Sequence, residues 1–186
     1  RQPEARAARG RAARRRYGAV TRDPFPIVCP ACKGDLGAEL GVRLRCTGCG
    51  AEFPFERGIP DLILGSRFPD AADSERDAYE ERSNEHTARH YLLPVFRELT
   101  AGLDRRARVL SVGCGTGADV DVLNDGGLDT AGIDCGNRCE VWPGRKHAGR
   151  LHRANAANLP FRDATFDAAY CGCVFPHVGV EGDTNR

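Results

Sequence analysis

An apolar run with β-branched residues, Val109-Leu110-Ser111-Val112, ends in three glycines at alternate positions, Gly113, Gly115 and Gly117. A helix-compatible segment follows. A buried strand that turns into a helix in this way presents backbone N–H groups at the helix N-terminus. There they can hold the phosphate or carboxylate end of a nucleotide-like ligand. Glycine serves because a Cβ would keep the ligand away from the N–H groups. The loop therefore predicts an adenosine-containing cofactor. Asp134, closing the next apolar run Ala131-Gly132-Ile133, stands where a carboxylate can accept from both ribose hydroxyls.

A second constellation is made of sulfur. Cys29-Pro30-Ala31-Cys32 and Cys46-Thr47-Gly48-Cys49 are two CxxC pairs with thirteen residues between them. Each pair forms a tight knuckle that can aim two thiolates at one ion, and Gly34 and Gly50 relieve the backbone just past each knuckle. Zinc accepts four thiolates tetrahedrally and leaves no open position, so Cys29, Cys32, Cys46 and Cys49 predict a structural zinc site. Such a site supports a segment too small for its own core. Disulfides or a redox pair are the competing uses of these thiols, but a redox CxxC normally stands alone on a βα unit.

The unit from Cys29 to Leu64, with its tail Phe53-Pro54-Phe55-Glu56-Arg57-Gly58-Ile59-Pro60-Asp61-Leu62-Ile63, resembles a zinc ribbon. Similar ribbons occur in small proteins that activate methyltransferases acting on tRNA, rRNA and release factors, and also fused ahead of methyltransferase domains. A generic ribbon that only packs against its neighbour is the alternative for the same residues.

Two cofactor classes compete for the glycine loop. Gly113, Gly115 and Ala118 fit the dinucleotide pattern G-x-G-x-x-A, whereas Gly113, Gly115 and Gly117 fit the G-x-G-x-G loop of S-adenosylmethionine (SAM) enzymes. The downstream run Ala154-Asn155-Ala156-Ala157-Asn158-Leu159-Pro160-Phe161, followed by Phe166-Asp167, separates them. It resembles the third-strand loop and fourth strand of class I SAM-dependent methyltransferases, and the resemblance spans about residues 105–178. The resemblance implies a Rossmann-like, doubly wound parallel sheet. It also implies that Asn155 meets the adenine amino group, that Ala156 and Leu159 line the adenine side, and that the loop with Ser111 holds the methionine end. The loop after strand four reaches the methyl group, which makes His177 a base or acceptor-orienting group; an ordinary loop histidine is the competing reading. Two positions depart from the family pattern. Ser111 stands where an acid is common, and Asn155 where Asp is common. Asn can still accept from adenine N6, but Ser111 supplies no charge.

The elements that must position these groups follow from periodicity. Strands are predicted at 108–112, 129–134, 150–154 and 166–173, with helical segments at 117–125 and 137–148. Alternating strands and helices predict a parallel sheet of order near 3-2-1-4. Residues 79–103 have helical spacing with Leu92, Val95 or Phe96, Leu99 and Leu103 on one side, and Pro94 predicts a kink or a fresh start. The domain reading is a disordered basic tail at 1–23, the ribbon at 24–65, a linker and helical segment at 66–104, and a partial methyltransferase domain at 105–186. The resembling fold has seven strands, so the expected sheet is truncated after strand four. A missing C-terminal segment or a partner chain would complete it.

Composition sets the remaining bounds. The chain has 186 residues, 41% hydrophobic and 28% charged, and no apolar run near the length of a membrane span. Nine cysteines, an odd number with two CxxC pairs, favour a reducing, cytoplasmic setting over a secreted disulfide scaffold. Residues 1–22 hold eight arginines against Glu4, a charge of +7, which leaves −6 for the rest of a chain whose net charge is +1. A basic arm can hold RNA through phosphates, while the lack of apolar periodicity fits a disordered tail. The methyl acceptor is therefore undecided between RNA and a small molecule, with no membrane partner. The alternative function is a zinc-ribbon binding module with an inactive Rossmann-like half. His86 and His90, four apart, could share a helix face as a metal pair but lack a third ligand nearby. Cys114, Cys135, Cys139, Cys171 and Cys173 are read as small apolar residues, and Trp142 either walls the cleft or packs in the core.

Overall fold

The computed structural model describes residues 25–39, 42–56, 58–64 and 74–172. The arginine-rich tail, Cys173 and His177 lie outside them. Four short strands follow the first knuckle: β1 (Leu36–Glu39), β2 (Arg43–Cys46), β3 (Glu52–Glu56) and β4 (Ile59–Pro60), joined antiparallel in that order. The pleat sorts their side chains. Leu44, Cys46 and Phe53 are buried while Arg43, Arg45 and Glu52 face water.

The second sheet is parallel, with the order β7-β6-β5-β8, which is 3-2-1-4 in chain order. Its strands are β5 (Arg108–Val112), β6 (Asp129–Asp134), β7 (Leu151–Arg153) and β8 (Ala168–Cys171). Helix α3 (Ala118–Asp125) connects β5 to β6. Among the described residues β8 pairs with β5 alone. The β6–β7 connection, expected as helix over 137–148, is instead 3₁₀ structure at Asn137–Gly144 and Ala148–Arg150. Pro143 sits inside it, and Gly136, Gly144 and Gly149 lower its helix propensity.

Before β5, helix α1 (Ser74–Thr87) runs through a π turn (Ala88–Leu92) into α2 (Leu93–Leu99). Pro94 has no N–H for the His90 carbonyl, and the widened turn absorbs the misfit, with Leu93 N–H reaching Ala88 O. The extra residue shifts the buried stripe. Ala88, Leu93 and Phe96 face inward against Val109, Val122, Leu123 and Leu128. Of the two candidates Val95 and Phe96 it is Phe96 that is buried, and Leu99 and Leu103, expected on the apolar side, are exposed instead.

Alternation along β5 assigns its faces. Val109 faces the helices, whereas Leu110 and Val112 face the ribbon. Leu110, Ala131 and Ile133 form one core with Phe25, Cys29, Leu44, Cys46, Phe53 and Leu62. The ribbon thus serves as the covering layer on one side of the parallel sheet. The join is also polar. Asp61 bridges in parallel to Arg153 of β7, Leu62 N–H donates to Arg153 O at 3.0 Å, and the Arg153 guanidinium bonds Glu56. No described helix is long and apolar enough to cross a membrane.

Candidate functional site

The glycine loop leaves β5 at its carboxyl end. Gly113 N–H and Cys114 N–H donate to Ile133 O at 2.9 and 3.0 Å, which ties the loop to β6. Gly117 has φ +80°, and a Cβ there would lie 2.7 Å from Leu151 Cδ1, so both backbone and packing demand glycine. Gly115, at φ +52°, is different. A Cβ there would meet only Arg138 Cδ, at 3.6 Å, so the cradle beside it is open. Two side chains hold the loop from behind: Trp142 Nε1 donates to Gly115 O at 2.8 Å, and Arg145 Nε donates to Thr116 O at 2.8 Å. Trp142 is therefore core packing and loop support together.

Asp134 ends β6 beside this cradle. Its Oδ2 accepts from Gly115 N–H at 2.8 Å and its Oδ1 from Gly136 N–H at 2.7 Å. Each carboxylate oxygen keeps further lone-pair capacity for a diol. Neighbouring strand ends in an open α/β sheet are where such folds take ligands.

Ser111 is buried on the helix face, and its Oγ donates to Asp119 Oδ2 at 2.6 Å. Tyr170 of β8, in register with Ser111, donates its hydroxyl to the same oxygen. Asp119 is 5% exposed, and burial holds its carboxyl above the usual range. Burial also pushes the Tyr170 phenol and the Cys114 thiol up, so both stay neutral. Neither Asp119 nor Tyr170 was expected at the site. The available signal was an acid in the first turn after the loop, facing a serine where an acid was expected.

Asn155 makes a local turn, its Oδ1 accepting from Ala157 N–H at 2.9 Å. Ala156 and Leu159 pack against the core shared with the ribbon. The first cysteine knuckle reaches this segment directly: Val28 N–H donates to Pro160 O at 2.9 Å and Lys33 Nζ to Leu159 O at 2.5 Å. The loop expected on the adenine side is thus held by the ribbon, a contact that sequence periodicity does not encode.

The four knuckle sulfurs converge, with all Sγ atoms within 4.8 Å of one another. Cys29–Cys49 and Cys32–Cys46 are 3.7 and 3.5 Å apart. Tetrahedral thiolates at 2.3 Å from zinc would be about 3.8 Å apart, so the donor set fits zinc. Gly48 and Cys49 N–H groups point at Cys46 Sγ at 3.4 Å, and the N–H groups aimed at this sulfur lower its pKa to about 6. Elsewhere, Cys114 and Cys139 pack with Val120, Trp142 and Leu151 as small apolar residues. The His86 and His90 rings lie 4.4 Å apart, tilted by 40°, but no third ligand joins them among the described residues.

A family described as "Methyltransferase domain" matches residues 110–185. A curated relative, "O-methyltransferase resE" of Aspergillus sclerotiorum, is 35% identical over 102 residues, covering 50% of this chain and 39% of the relative. The chain thus spans about two fifths of that relative's length. Both similarities support a methyltransferase, and the first takes in the glycine loop from Leu110 onward, Asp134 and the Asn155–Phe161 segment.

Proposed function

We propose that residues 105–186 form the cofactor-binding part of a SAM-dependent methyltransferase, with the ribbon as a structural zinc module that braces it. The observation that carries this is the pairing of the Gly115 N–H with the Asp134 carboxylate at 2.8 Å beside an open cradle, within the segment similar to methyltransferases. When bound, SAM supplies an electrophilic methyl group on a sulfonium. The chain's own residues do the positioning. Asp134 accepts from the ribose hydroxyls, and Gly115 leaves room for the ligand beside the main chain. Asn155, Ala156 and Leu159 flank the adenine, Asn155 offering a carbonyl acceptor. His177 orients the acceptor or takes its proton. Alignment accounts for most of the work, because a nucleophile held in line with the methyl group needs little further activation. An oxygen acceptor is the class that the relative's name supports.

Cys29, Cys32, Cys46 and Cys49 hold zinc, and Val28 and Lys33 transmit the rigidity of that knuckle to Leu159 and Pro160. Trp142, the chain's single tryptophan, is bonded to the loop, so its emission reports on cofactor binding. Saturable change in that emission on titration with S-adenosylhomocysteine is expected. No change, with no heat of binding, would contradict the reading.

A further inference from the structure

The four knuckle thiols are not equally sheltered. Cys29 and Cys46 are buried in the core that the ribbon shares with the parallel sheet, whereas Cys32 and Cys49 are exposed. Cys32 lies 3.5 Å from Cys46, and Cys49 lies 3.7 Å from Cys29, so each exposed sulfur faces a buried one of the other knuckle. The first pair has the thinner cover. Gly34 and Gly48 lie against it. An added Cβ at Gly34 would fall 3.0 Å from Cys46 Sγ and 3.2 Å from Cys32 Sγ, and one at Gly48 would fall 3.7 Å from Cys32 Sγ and 3.8 Å from Cys46 Sγ. Neither glycine puts a side chain between these sulfurs and water.

The backbone beside Cys32 is tied to the segment that follows β7. Lys33 has φ +61°, a left-handed conformation that lysine seldom adopts, and its N–H holds it there by donating to Cys29 O at 2.8 Å. From that position Lys33 Nζ reaches Leu159 O at 2.5 Å. Two residues on, the Asp35 carboxylate takes Arg162 at 2.5 Å, and Asp35 O accepts from Thr47 N–H of the second knuckle at 3.0 Å. A change in the spacing of Cys32 and Cys46 therefore acts on both ends of the run Leu159–Arg162.

We infer that Cys32 is an oxidation site, and that its disulfide with Cys46 is a reversible switch that hydrogen peroxide throws on the cofactor site. The inference rests on the reading under Proposed function and adds regulation to it. The exposed Cys32 thiolate attacks the peroxide, an S–O bond forming as the O–O bond breaks and hydroxide leaves. The Cys46 thiolate then attacks that sulfur, an S–S bond forming as the S–O bond breaks and a second hydroxide leaves. Two protons turn the two hydroxides into water; the sulfurs lose two electrons and the peroxide gains them. Bond formation draws the sulfurs from 3.5 Å to about 2.05 Å. With only two thiolates left, the knuckles no longer meet the tetrahedral requirement of zinc and release it. Lys33 then loses the turn that holds it left-handed, its bond to Leu159 O goes, and cofactor affinity falls. A dithiol reductant with added zinc reverses the change, the dithiol taking up the disulfide.

The test treats the full zinc-loaded chain with equimolar hydrogen peroxide. Zinc release is followed with a chromophoric chelator, disulfides are mapped by peptide mass spectrometry without reduction, and S-adenosylhomocysteine is titrated calorimetrically before and after. Zinc is expected to leave in step with formation of the Cys32–Cys46 disulfide, and S-adenosylhomocysteine affinity to fall several-fold. Dithiothreitol with added zinc is expected to restore both. Lys33→Met is expected to form the same disulfide and release zinc as the wild type does, but to lose less affinity on oxidation, because its bond to Leu159 O is already absent. Zinc retained with the knuckle thiols still free, disulfides confined within each CxxC pair, or undiminished affinity after zinc loss overturns the inference. An equal fall in Lys33→Met and the wild type overturns Lys33 as the link. Failure of the reduced, zinc-loaded chain to bind S-adenosylhomocysteine overturns the cofactor reading instead, while the zinc and disulfide readouts still decide the oxidation site.

Discussion

Gly117→Ala separates what the loop's backbone demands from what its packing demands. At φ +80° an alanine pays the left-handed penalty of about 1–2 kcal/mol. Its Cβ would also lie 2.7 and 2.9 Å from the two methyls of Leu151, a fully buried side chain that cannot swing into water. Forced repacking of that kind costs about 1–3 kcal/mol, giving a total of about 2–5 kcal/mol. Gly127→Ala is the control, since its φ is +98° and nothing lies within 4 Å of its added Cβ, so only the backbone penalty of about 1–2 kcal/mol applies. Urea unfolding of the two variants, with unchanged m-values, should therefore differ by about 1–3 kcal/mol. S-adenosylhomocysteine affinity should fall for Gly117→Ala and stay at the wild-type value for Gly127→Ala. Equal destabilisation of the two would refute the contact between the loop and Leu151 as the cause.

Asp134→Ala should weaken S-adenosylhomocysteine binding by about 2–4 kcal/mol in calorimetry, through loss of the ribose acceptors and of the carboxylate that fixes Gly115 and Gly136. Lys33→Met removes the bond to Leu159 O and should weaken S-adenosylhomocysteine several-fold while zinc, measured by atomic absorption, stays at one per chain. Cys46→Ser should lose both zinc and cofactor affinity, because the knuckle and the adenine-side loop share a core. Arg105 holds Asp167 in a two-point ion pair at 2.7 and 2.8 Å, and with the Arg108 N–H it lowers the Asp167 pKa to about 2. Because the folded value is depressed, this contribution is present above the ordinary carboxylate value near 4 and is lost as pH falls towards 2. Denaturation midpoints measured from pH 5 to 2 should fall less steeply in Asp167→Asn than in the wild type.

The strands were legible because their apolar runs are bounded by turn residues. The predicted 108–112 and 129–134 coincide with β5 and β6, and the sheet has the expected order. The outer face of the helix before β5 was misread because a fixed 3.6-residue period does not anticipate the π turn before Pro94, which makes the spacing from Ala88 to Leu93 five residues. Packing of the ribbon on the sheet was hidden for a different reason. Leu110, Val112 and Ile133 read as core in any buried strand, and nothing local says whether a helix or a ribbon covers them. The cysteine spacing and the glycine loop were readable because each is a local pattern. Asp119 was missed because its meaning lies in two partners, Ser111 and Tyr170, that are 8 and 51 residues away.

Isothermal titration of the zinc-loaded chain with S-adenosylhomocysteine and, separately, with NADH is the most direct test of the cofactor assignment. One saturable site is expected for S-adenosylhomocysteine, abolished or strongly weakened in Asp134→Ala, with no heat of binding for NADH. Binding of NADH with none of S-adenosylhomocysteine would contradict that assignment.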